Sequence, residues 1–295
     1  MKAWCVPAFA KINLGLRILG KRPDGYHELE TLFLQIDLAD RLFFEKTAGG
    51  RFELTCNNSD IPVDASNLCA QAYRLICDAA QRQLGVRLHL EKNIPAGAGL
   101  GGGSSDAATT LIVVNRLFEL NLSNDTLYQL AIQLGSDVPF FLTGGLCSGR
   151  GRGEILEPLT HLPKFWIFLV KPPVVVSTVW AYQNYNKLGL TKTQKNRKLP
   201  SSNIEQLTGQ ELVEICQNDL ETAVFEKYEE LAAIKLQLKN SGAFVSSMTG
   251  SGSAMFGLFH TQQEAEDRKQ LFKNCNTFVT RPIRWGIPQV YQMQY

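Results

Sequence analysis

The first third of the chain consists of short runs in which apolar and polar positions alternate, a pattern typical of half-buried β-strands. The runs are separated by Gly, Asp and Asn turn signals, and they predict strands at residues 14–19, 29–36, 41–45, 51–55 and 86–90. Starting at Asn67, the apolar positions instead recur at helical spacing, which predicts a helix that ends near Ala79.

The rest of the chain mixes the two periodicities. The pattern predicts helices at residues 105–120, 125–134, 210–216, 226–239 and 262–273. It predicts strands at residues 165–171, 243–245 and 254–259 and near residue 278. The helix at 125–134 has Ser123 or Asn124 as its cap and Gly135 as its stop. Because no strict βαβ order is present, we predict an α+β fold in two lobes, residues 1–160 and residues 161–295.

Composition and charge exclude several classes of protein. Lys and Arg number 30 and Asp and Glu number 28, and a net charge of +2 is too small to indicate nucleic acid or an anionic membrane as the partner. The longest strongly apolar run, residues 165–170, is far too short to span a bilayer. The first residues are too polar for a secretory signal, so we expect a cytoplasmic protein.

Cysteine and histidine usage agrees with that expectation. The seven cysteines are odd in number, scattered and without a C-x-x-C pair, which indicates reduced thiols rather than a disulfide framework. The four histidines form no recognisable metal-binding motif. The basic stretch at residues 187–203 has almost no apolar content, and we interpret it as a solvated loop.

The strongest local signal is a glycine-rich segment followed by an apolar helix. Its residues are Pro95, Ala96, Gly97, Ala98, Gly99, Leu100, Gly101, Gly102, Gly103, Ser104 and Ser105. Such a loop lets backbone N–H groups approach an anion at a helix N-terminus, which favours phosphate binding over a merely flexible turn. The segment also satisfies G-x-G-x-x-G, but the buried first strand of a dinucleotide-binding fold is missing. No Gly-Lys-Ser/Thr closes the loop, so it is not a Walker A motif.

Three segments in order resemble the motifs of the GHMP small-molecule kinases. They are residues 9–14 (FAKINL), the glycine-rich segment 95–105 and residues 248–254 (MTGSGSA). The segments 22–29 (RPDGYHEL), 134–141 (LGSDVPFF) and 218–221 (NDLE) are similar to one branch of that family. Phe9 stands where the family usually has Pro, and Thr249 stands where Ser is common.

The resemblance implies an N-terminal lobe like domain 2 of ribosomal protein S5 and a ferredoxin-like C-terminal lobe. It implies that ATP binds across the glycine-rich segment, and Mg²⁺ is expected with the nucleotide, although no carboxylate pair marks its protein ligands. The acceptor it implies is the C2 hydroxyl of a methylerythritol joined to cytidine diphosphate, on the non-mevalonate route to isoprenoid precursors. The chain would act as a monomer or a homodimer.

The resemblance also assigns the catalytic residues. It makes Asp137 the base that takes the proton from the acceptor hydroxyl, and it places Lys11 beside it to offset charge at the reacting centre. Asn13, on the same strand face as Lys11, adds a polar contact to substrate. Two simpler interpretations stay open: Asp137 as a cap of the segment beginning at Pro139, and Lys11 as a lysine that snorkels from a strand end.

The resemblance assigns substrate binding to Tyr26, His27, Thr178 and Tyr182. Tyr26 would stack on the cytosine ring, His27 would bond its polar edge, and Tyr182 would cover the opposite ring face, with Trp180 as a rival. The simpler interpretation makes Tyr26 and His27 ordinary residues at the start of a strand.

Three other functions fit the sequence less well. Another GHMP kinase, such as a mevalonate or homoserine kinase, is disfavoured by the Asp-Gly-Tyr-His segment. A non-catalytic nucleotide-binding protein with a degenerate kinase fold is disfavoured because the positions of Lys11 and Asp137 are both filled. An NAD-dependent oxidoreductase lacks its required sequence context.

Overall fold

The computed structural model describes residues 3–159, 164–189, 209–283 and 291–293. The strands are β1 (Ala3–Lys21), β2 (His27–Lys46), β3 (Phe52–Cys56), β4 (Val86–Glu91), β5 (Leu146–Gly151), β6 (Ile155–Leu159), β7 (Trp166–Lys171), β8 (Val245–Met248), β9 (Met255–Phe259), β10 (Asn276–Thr280) and β11 (Tyr291–Met293). The helices are α1 (Leu68–Ala80), α2 (Gly102–Leu117), α3 (Asn124–Leu134), α4 (Val138–Thr143), α5 (Thr178–Lys187), α6 (Gly209–Ile215), α7 (Leu220–Phe225), α8 (Glu229–Asn240) and α9 (Gln262–Glu266).

Within the described residues, the first sheet has seven strands built around the long hairpin β1–β2. One edge of β2 pairs with β1, while its other edge pairs with β5 through its first half and with β4 through its second half. All pairs are antiparallel except β3 with β4. β-Bulges interrupt the β1–β2 register between Phe9 and Lys11 and between Asn13 and Gly15. A β-bulge changes the direction of the side chains beside it. These two bulges flank Lys11 and Asn13, whose side chains line the cavity described below.

In the part of the chain that the structure describes, the second sheet has four strands in the order β10–β7–β9–β8. Numbered within this lobe, that order is 4-1-3-2, all antiparallel, with helices between the first two strands and between the last two. This is the ferredoxin-like arrangement that the family resemblance implies.

The two sheets pack face to face, with helices on the outer face of each. Helices α1 to α4 cover the first sheet, and α5, α7, α8 and α9 cover the second. Between the sheets, Ile12 and Leu34 meet Ile167 and Phe256 in one shared core. The last strand of the second sheet is followed by β11, which returns to pair with β1. The lobe boundary at residues 160 and 161 stays a prediction.

Capping residues fix the helices whose ends the sequence predicts well. Asn67 caps α1 by accepting a hydrogen bond from the Cys69 N–H at 2.8 Å. Ser123, not Asn124, caps α3, because its Oγ accepts from the Thr126 N–H at 3.1 Å. These side chains satisfy N–H groups that a helix start leaves without partners.

Several predicted boundaries are wrong. Helix α2 begins at Gly102 rather than residue 105, since Gly101 in the left-handed region serves as its cap. The strands predicted at 29–36 and 41–45 are one strand, β2. The polar residues between them suggested a break, but the strand carries the fully buried Asp40, which forms an ion pair with Lys92. The helix predicted at 262–273 ends at Glu266.

The sequence pattern misses some short elements altogether. Helix α4 has six residues, too few to show a helical period, and β5 contains glycines that break its alternation. Helix α5 is missed because its sequence, TVWAYQNYNK, is largely polar.

The basic stretch that the sequence predicts as a solvated loop lies, from residue 190 onward, outside the described residues. All seven cysteines are free, as expected for reduced thiols. In the described ranges no helix combines the length and the apolar content needed to cross a membrane.

Candidate active site

A cavity of about 620 Å³ opens where β1, the glycine-rich segment, α5 and the Gly/Ser-rich loop (residues 249–253) meet. Every motif segment of the sequence analysis except 218–221 contributes a residue to its lining. Residues far apart in the sequence therefore form one site.

Lys11 and Asp137 face each other in this cavity. The Lys11 Nζ lies 3.2 Å from the Asp137 Oδ2 and donates a hydrogen bond to the Asn13 Oδ1 at 2.7 Å. The ammonium group also lies 5.4 Å from the centre of the Phe33 ring. Lys11 is only 3% exposed and sits in the middle of β1, so the interpretation as a lysine snorkelling from a strand end is wrong.

Asp137 stands at the N-terminus of α4, where a capping role would require its side chain to accept a backbone hydrogen bond. The carboxylate makes no such bond. It points instead toward Lys11 and is about one-third exposed, at 36%. The capping interpretation is therefore wrong for this side chain, and the carboxylate stays available to a ligand in the cavity.

Asn13 connects the ion pair to β2 and to the Gly/Ser-rich loop. Its Nδ2 donates to the Thr31 Oγ1 on β2 at 2.8 Å, and its backbone N–H donates to the Thr249 Oγ1 at 3.0 Å. Because these hydrogen bonds hold the Asn13 side chain and backbone in place, its Oδ1 fixes the position of the Lys11 ammonium.

The glycine-rich segment turns alternate residues toward the cavity. Gly97, Gly99, Gly101 and Ser104 line the cavity, and these three glycines have φ values of +60°, +77° and +71°. Such backbone conformations are strained for any residue with a Cβ. The first turn of α2 follows directly, and its N–H groups have no helical partners. The geometry suits an anion at this end of the cavity.

The remaining residues of the segment lie elsewhere. Ala98 and Leu100 point into the core between the sheets, and Ser105 is buried and does not line the cavity. The others that do not line it are Pro95, Ala96, Gly102 and Gly103. Gly102 also lacks a positive φ, because it is the first residue of a helix.

A buried ion cluster of Lys92, Asp40 and Asp106 holds the start of the glycine-rich segment. Lys92 bonds both Asp40 and Asp106, and the Asp40 Oδ1 accepts from the backbone N–H groups of Asn93 and Ile94 at 2.6 and 2.8 Å. Burial, together with the charge of Asp40, raises the pKa of Asp106 to about 7 against the opposing effect of Lys92. The cluster thus ties the start of the glycine-rich segment to β2 and to α2.

The opposite end of the cavity is aromatic and cationic. Tyr26 follows the Asp24–Gly25 turn and is 53% exposed. The Arg152 guanidinium lies 4.0 Å from the centre of the Tyr26 ring and donates to the Ser136 Oγ at 3.0 Å. One face of the Tyr26 ring is thereby covered by a cation, and Arg152 itself lines the cavity.

His27 and Tyr182 are in direct contact. Their rings stack with centroids 5.0 Å apart, and the His27 Nε2 hydrogen-bonds the Asn186 Oδ1 at 2.8 Å. Burial raises the pKa of Tyr182, and the nearby Asp137 carboxylate adds to the rise. Since His27 covers one face of Tyr182, only its other face is available to a planar ligand. Trp180, the rival residue, packs edge-on against Tyr228 instead.

Thr178 and the Gly/Ser-rich loop form the side of the cavity contributed by the second lobe. The Thr178 Oγ1 lies within hydrogen-bonding distance, 2.8 Å, of the Ser251 Oγ. The polar lining residues that the sequence analysis did not single out, all outside its motif segments, are Lys21, Thr31, Arg152, Gln183 and Asn186. Residues 149–154 carry two arginines among glycines, a sequence pattern that would have indicated a cation near the site.

The described part of the chain contains no group of three or more His, Cys, Asp or Glu side chains arranged to hold a metal ion. The Ser104 hydroxyl and the Asp137 carboxylate are cavity-lining oxygens of the type that Mg²⁺ prefers. Two such oxygens fit a Mg²⁺ ion that would take its remaining ligands from a bound anion.

Comparison with known proteins identifies the fold and the family. The family model of the GHMP kinases N terminal domain matches residues 67–145, and that of the GHMP kinases C terminal domain matches residues 202–276. The two-lobed α+β prediction is confirmed. A homoserine kinase from Cytophaga hutchinsonii shares the fold, with a TM-score of 0.71 over 99% of this chain and 97% of its own, at 18% identity.

Two proteins with higher sequence identity to this chain make the family assignment more specific. A crystal structure of 4-(cytidine 5'-diphospho)-2C-methyl-D-erythritol kinase has a TM-score of 0.80 and 35% identity, covering 94% of this chain and 98% of its own. The 4-diphosphocytidyl-2-C-methyl-D-erythritol kinase of Chlorobium chlorochromatii is 46% identical over 88% of this chain and 89% of its own. By this identity and coverage, the chain belongs to the 4-diphosphocytidyl-2-C-methyl-D-erythritol kinase family of the GHMP kinases.

Proposed function

We propose that the chain transfers the γ-phosphoryl group of ATP to the C2 hydroxyl of 4-diphosphocytidyl-2-C-methyl-D-erythritol, on the non-mevalonate route to isoprenoid precursors. The observation that carries this proposal is the Lys11–Asp137 pair in the middle of the cavity. A glycine-rich helix start lies on one side of the pair, and an aromatic, cationic pocket lies on the other. A phosphate donor and a nucleotide-linked alcohol require these surroundings.

The glycine-rich segment and α2 form the proposed ATP site. Gly97, Gly99 and Gly101 let the backbone approach the phosphates, and the N-terminus of α2 offers N–H groups and the positive end of a helix dipole. ATP supplies the phosphoryl group, and Mg²⁺ neutralises part of the phosphate charge when bound. The Ser104 hydroxyl and the Asp137 carboxylate are the side-chain oxygens that would hold the metal.

Asp137 acts as the base in this proposal. Its carboxylate accepts the proton of the acceptor hydroxyl as the oxygen begins to bond to phosphorus. Lys11 places a positive charge at the same point, where negative charge accumulates on the transferred group. Asn13 orients the ammonium through the 2.7 Å hydrogen bond to its Oδ1.

Tyr26, His27 and Tyr182 form the proposed cytidine pocket. The Tyr26 ring face opposite Arg152 is a stacking surface for the base. His27, whose Nε2 is engaged by Asn186, keeps Nδ1 for the polar edge of the base. Arg152 and Lys21, both in the cavity lining, add positive charge suited to the diphosphate, and Thr178 offers a hydroxyl.

Release of ADP tests the function directly. The purified protein is incubated with ATP and each of four acceptors: the cytidylated substrate, methylerythritol phosphate without the base, mevalonate and homoserine. We expect rapid ADP release with the first alone. Equal turnover of methylerythritol phosphate would reject the cytidine pocket, and turnover of mevalonate or homoserine in its place would reject the proposed substrate. A cytoplasmic location and a monomeric or homodimeric state stay predictions.

The glycine-rich segment predicts a contrast between two substitutions. In Gly101→Ala, the new Cβ would lie 2.7 Å from the Phe141 ring and 3.1 Å from the Lys11 Cγ, at a φ of +71°. Left-handed backbone costs a non-glycine residue about 1–3 kcal/mol, so we expect the KM for ATP to rise roughly tenfold or more. In the control Gly103→Ala, the nearest atom lies at 3.7 Å and KM should stay unchanged. Equal weakening of ATP and acceptor by Gly101→Ala, measured by calorimetry, would indicate misfolding instead.

Tyr26→Ala tests the stacking surface. Stacking of a base on an aromatic side chain contributes about 1–3 kcal/mol, so the KM for the cytidylated substrate should rise roughly 5- to 150-fold. The KM for ATP should hardly change, since Tyr26 lies at the other end of the cavity from the glycine-rich segment. Tyr26→Phe keeps the ring and should behave as the wild type. A Tyr26→Ala enzyme with an unchanged acceptor KM would contradict the assignment.

A further inference from the structure

The segment Asn218–Glu221 is the one motif that does not reach the cavity. We propose that it is a positioning element: Asn218 and Glu221 hold the Gly/Ser-rich loop in the orientation that phosphoryl transfer requires. The inference rests on the proposed function for its kinetic consequence, but the structural part stands on contacts within the chain.

The segment is attached to β1 by its own backbone. The Leu16 N–H donates to the Gln217 carbonyl and the Asp219 N–H donates to the Leu16 carbonyl, both at 2.9 Å. The Asp219 Oδ2 accepts from the Ile18 N–H at 2.8 Å. The segment therefore moves with the strand that carries Lys11, although it belongs to the other lobe in sequence.

Asn218 uses its whole side-chain amide to hold the loop. Its Nδ2 donates to the carbonyls of Met248 and Gly250 at 2.8 and 2.7 Å, and its Oδ1 accepts from the Leu220 N–H at 3.0 Å. Asn218 is buried, at 5% exposure. Both N–H groups of the amide are committed, and both loop carbonyls are directed toward a residue outside the cavity.

Glu221 adds a second attachment at the base of the loop. Its Oε1 accepts from the Met248 N–H at 2.8 Å and from the Ser247 Oγ at 2.9 Å, and its other oxygen pairs with Lys235. Asn218 and Glu221 thus bind the carbonyl and the N–H of the same residue, Met248, so the start of the loop has one orientation.

The other side of the loop meets the catalytic face. The Thr249 Oγ1 accepts from the Asn13 N–H and donates to the Gly99 carbonyl at 3.2 Å, while the Ala254 N–H donates to the Ala98 carbonyl at 3.2 Å. Gly250, Ser251 and Gly252 then line the cavity. With the Gly250 carbonyl held by Asn218, that oxygen is kept away from the phosphate oxygens, which it would repel.

Asn218→Asp provides the test, because it keeps the size of the side chain and the acceptor for Leu220 while removing both donors. The matched control is Asn115→Asp: Asn115 also donates to and accepts from backbone, on Leu122, but lies away from the cavity. We measure kcat, both KM values and the melting temperature for each variant. Hydrogen exchange is measured for the peptide containing residues 248–254.

We expect Asn218→Asp to lower kcat by about 10- to 100-fold, because small misplacement of reacting groups has effects of that order. Exchange in the 248–254 peptide should rise at least tenfold, and both KM values should change less than kcat. The ratio of variant to wild-type kcat should increase as pH falls, since a protonated carboxyl regains one donor. Asn115→Asp should leave kcat and this peptide unchanged even if its melting temperature falls equally.

An unchanged kcat for Asn218→Asp, or the same loss in both variants, would overturn the proposal. If Asn218→Asp does not fold, the pair Glu221→Met and Glu221→Gln decides. The methionine removes the acceptor and should lower kcat and loosen the loop, whereas the glutamine keeps an acceptor and should restore both. Equal kcat in the two would reject the positioning role. A wild type without kinase activity would refute the proposed function, while hydrogen exchange would still test the attachment of the loop.

Discussion

Asp137→Asn is expected to lower kcat by about 10²–10⁴-fold, the range that a positioned general base contributes. The amide has nearly the same shape as the carboxylate, but it does not accept a proton from the acceptor hydroxyl. Because the Asp137 side chain makes no capping bond, the substitution removes no hydrogen bond that holds α4. The fold and the binding of ATP should therefore persist, which melting curves and calorimetry check.

The control for this prediction is Asp125→Asn. Asp125 also lies in the first turn of a helix, α3, but it is exposed and does not line the cavity. Its substitution should leave kcat within about twofold of the wild type. Near-normal turnover by purified Asp137→Asn would remove Asp137 from the role of base.

Lys11→Met is expected to lower kcat by about 10²–10³-fold, as the loss of one preorganised electrostatic group does in other enzymes. Methionine fills a similar volume beside Phe33 but carries no charge to offset that of the transferred group. The stability should change little. The Asn13 Oδ1 loses a donor, but the structure no longer has to bury an ammonium group that is 3% exposed.

Lys46→Met is the matched control, because Lys46 lies on the neighbouring strand β2 with its ammonium 4.9 Å from the centre of the Phe118 ring. It loses a comparable cation–ring contact outside the cavity, and its kcat should be unchanged. The decisive comparison is kcat against the melting curve. If Lys11→Met unfolds while Lys46→Met does not, Lys11 has a structural role and the kinetic loss says nothing about charge.

The sequence by itself determined the parts of the molecule that depend on neighbours in the chain. The helices α1 and α3 followed from apolar spacing and from caps such as Asn67 and Ser123, whose partners are two or three residues away. The glycine-rich segment likewise predicted its own position before a helix. The motif segments indicated the family, and the resemblance to that family implied the fold.

Elements without a local signal depended on tertiary contacts. The break expected near Asp40 does not occur, because Lys92, which directly follows β4, neutralises that buried carboxylate. Helix α5 has a largely polar sequence, and it is helical where Ala181 and Tyr185 pack into the outer core of the second lobe. Such contacts join residues that periodicity in a short window does not relate.

The candidate active site shows most clearly which features the sequence determines and which depend on the tertiary structure. The sequence named Lys11 and Asp137 but left open whether one was a snorkelling lysine and the other a cap. Only the folded chain brings the Lys11 Nζ to 3.2 Å from Asp137 and leaves Asp137 without a capping bond. It also stacks Tyr182 on His27 and covers Tyr26 with Arg152. The sequence determines the residue types and the local backbone conformation. The packing of the two sheets sets the distances between side chains that lie on different strands and helices.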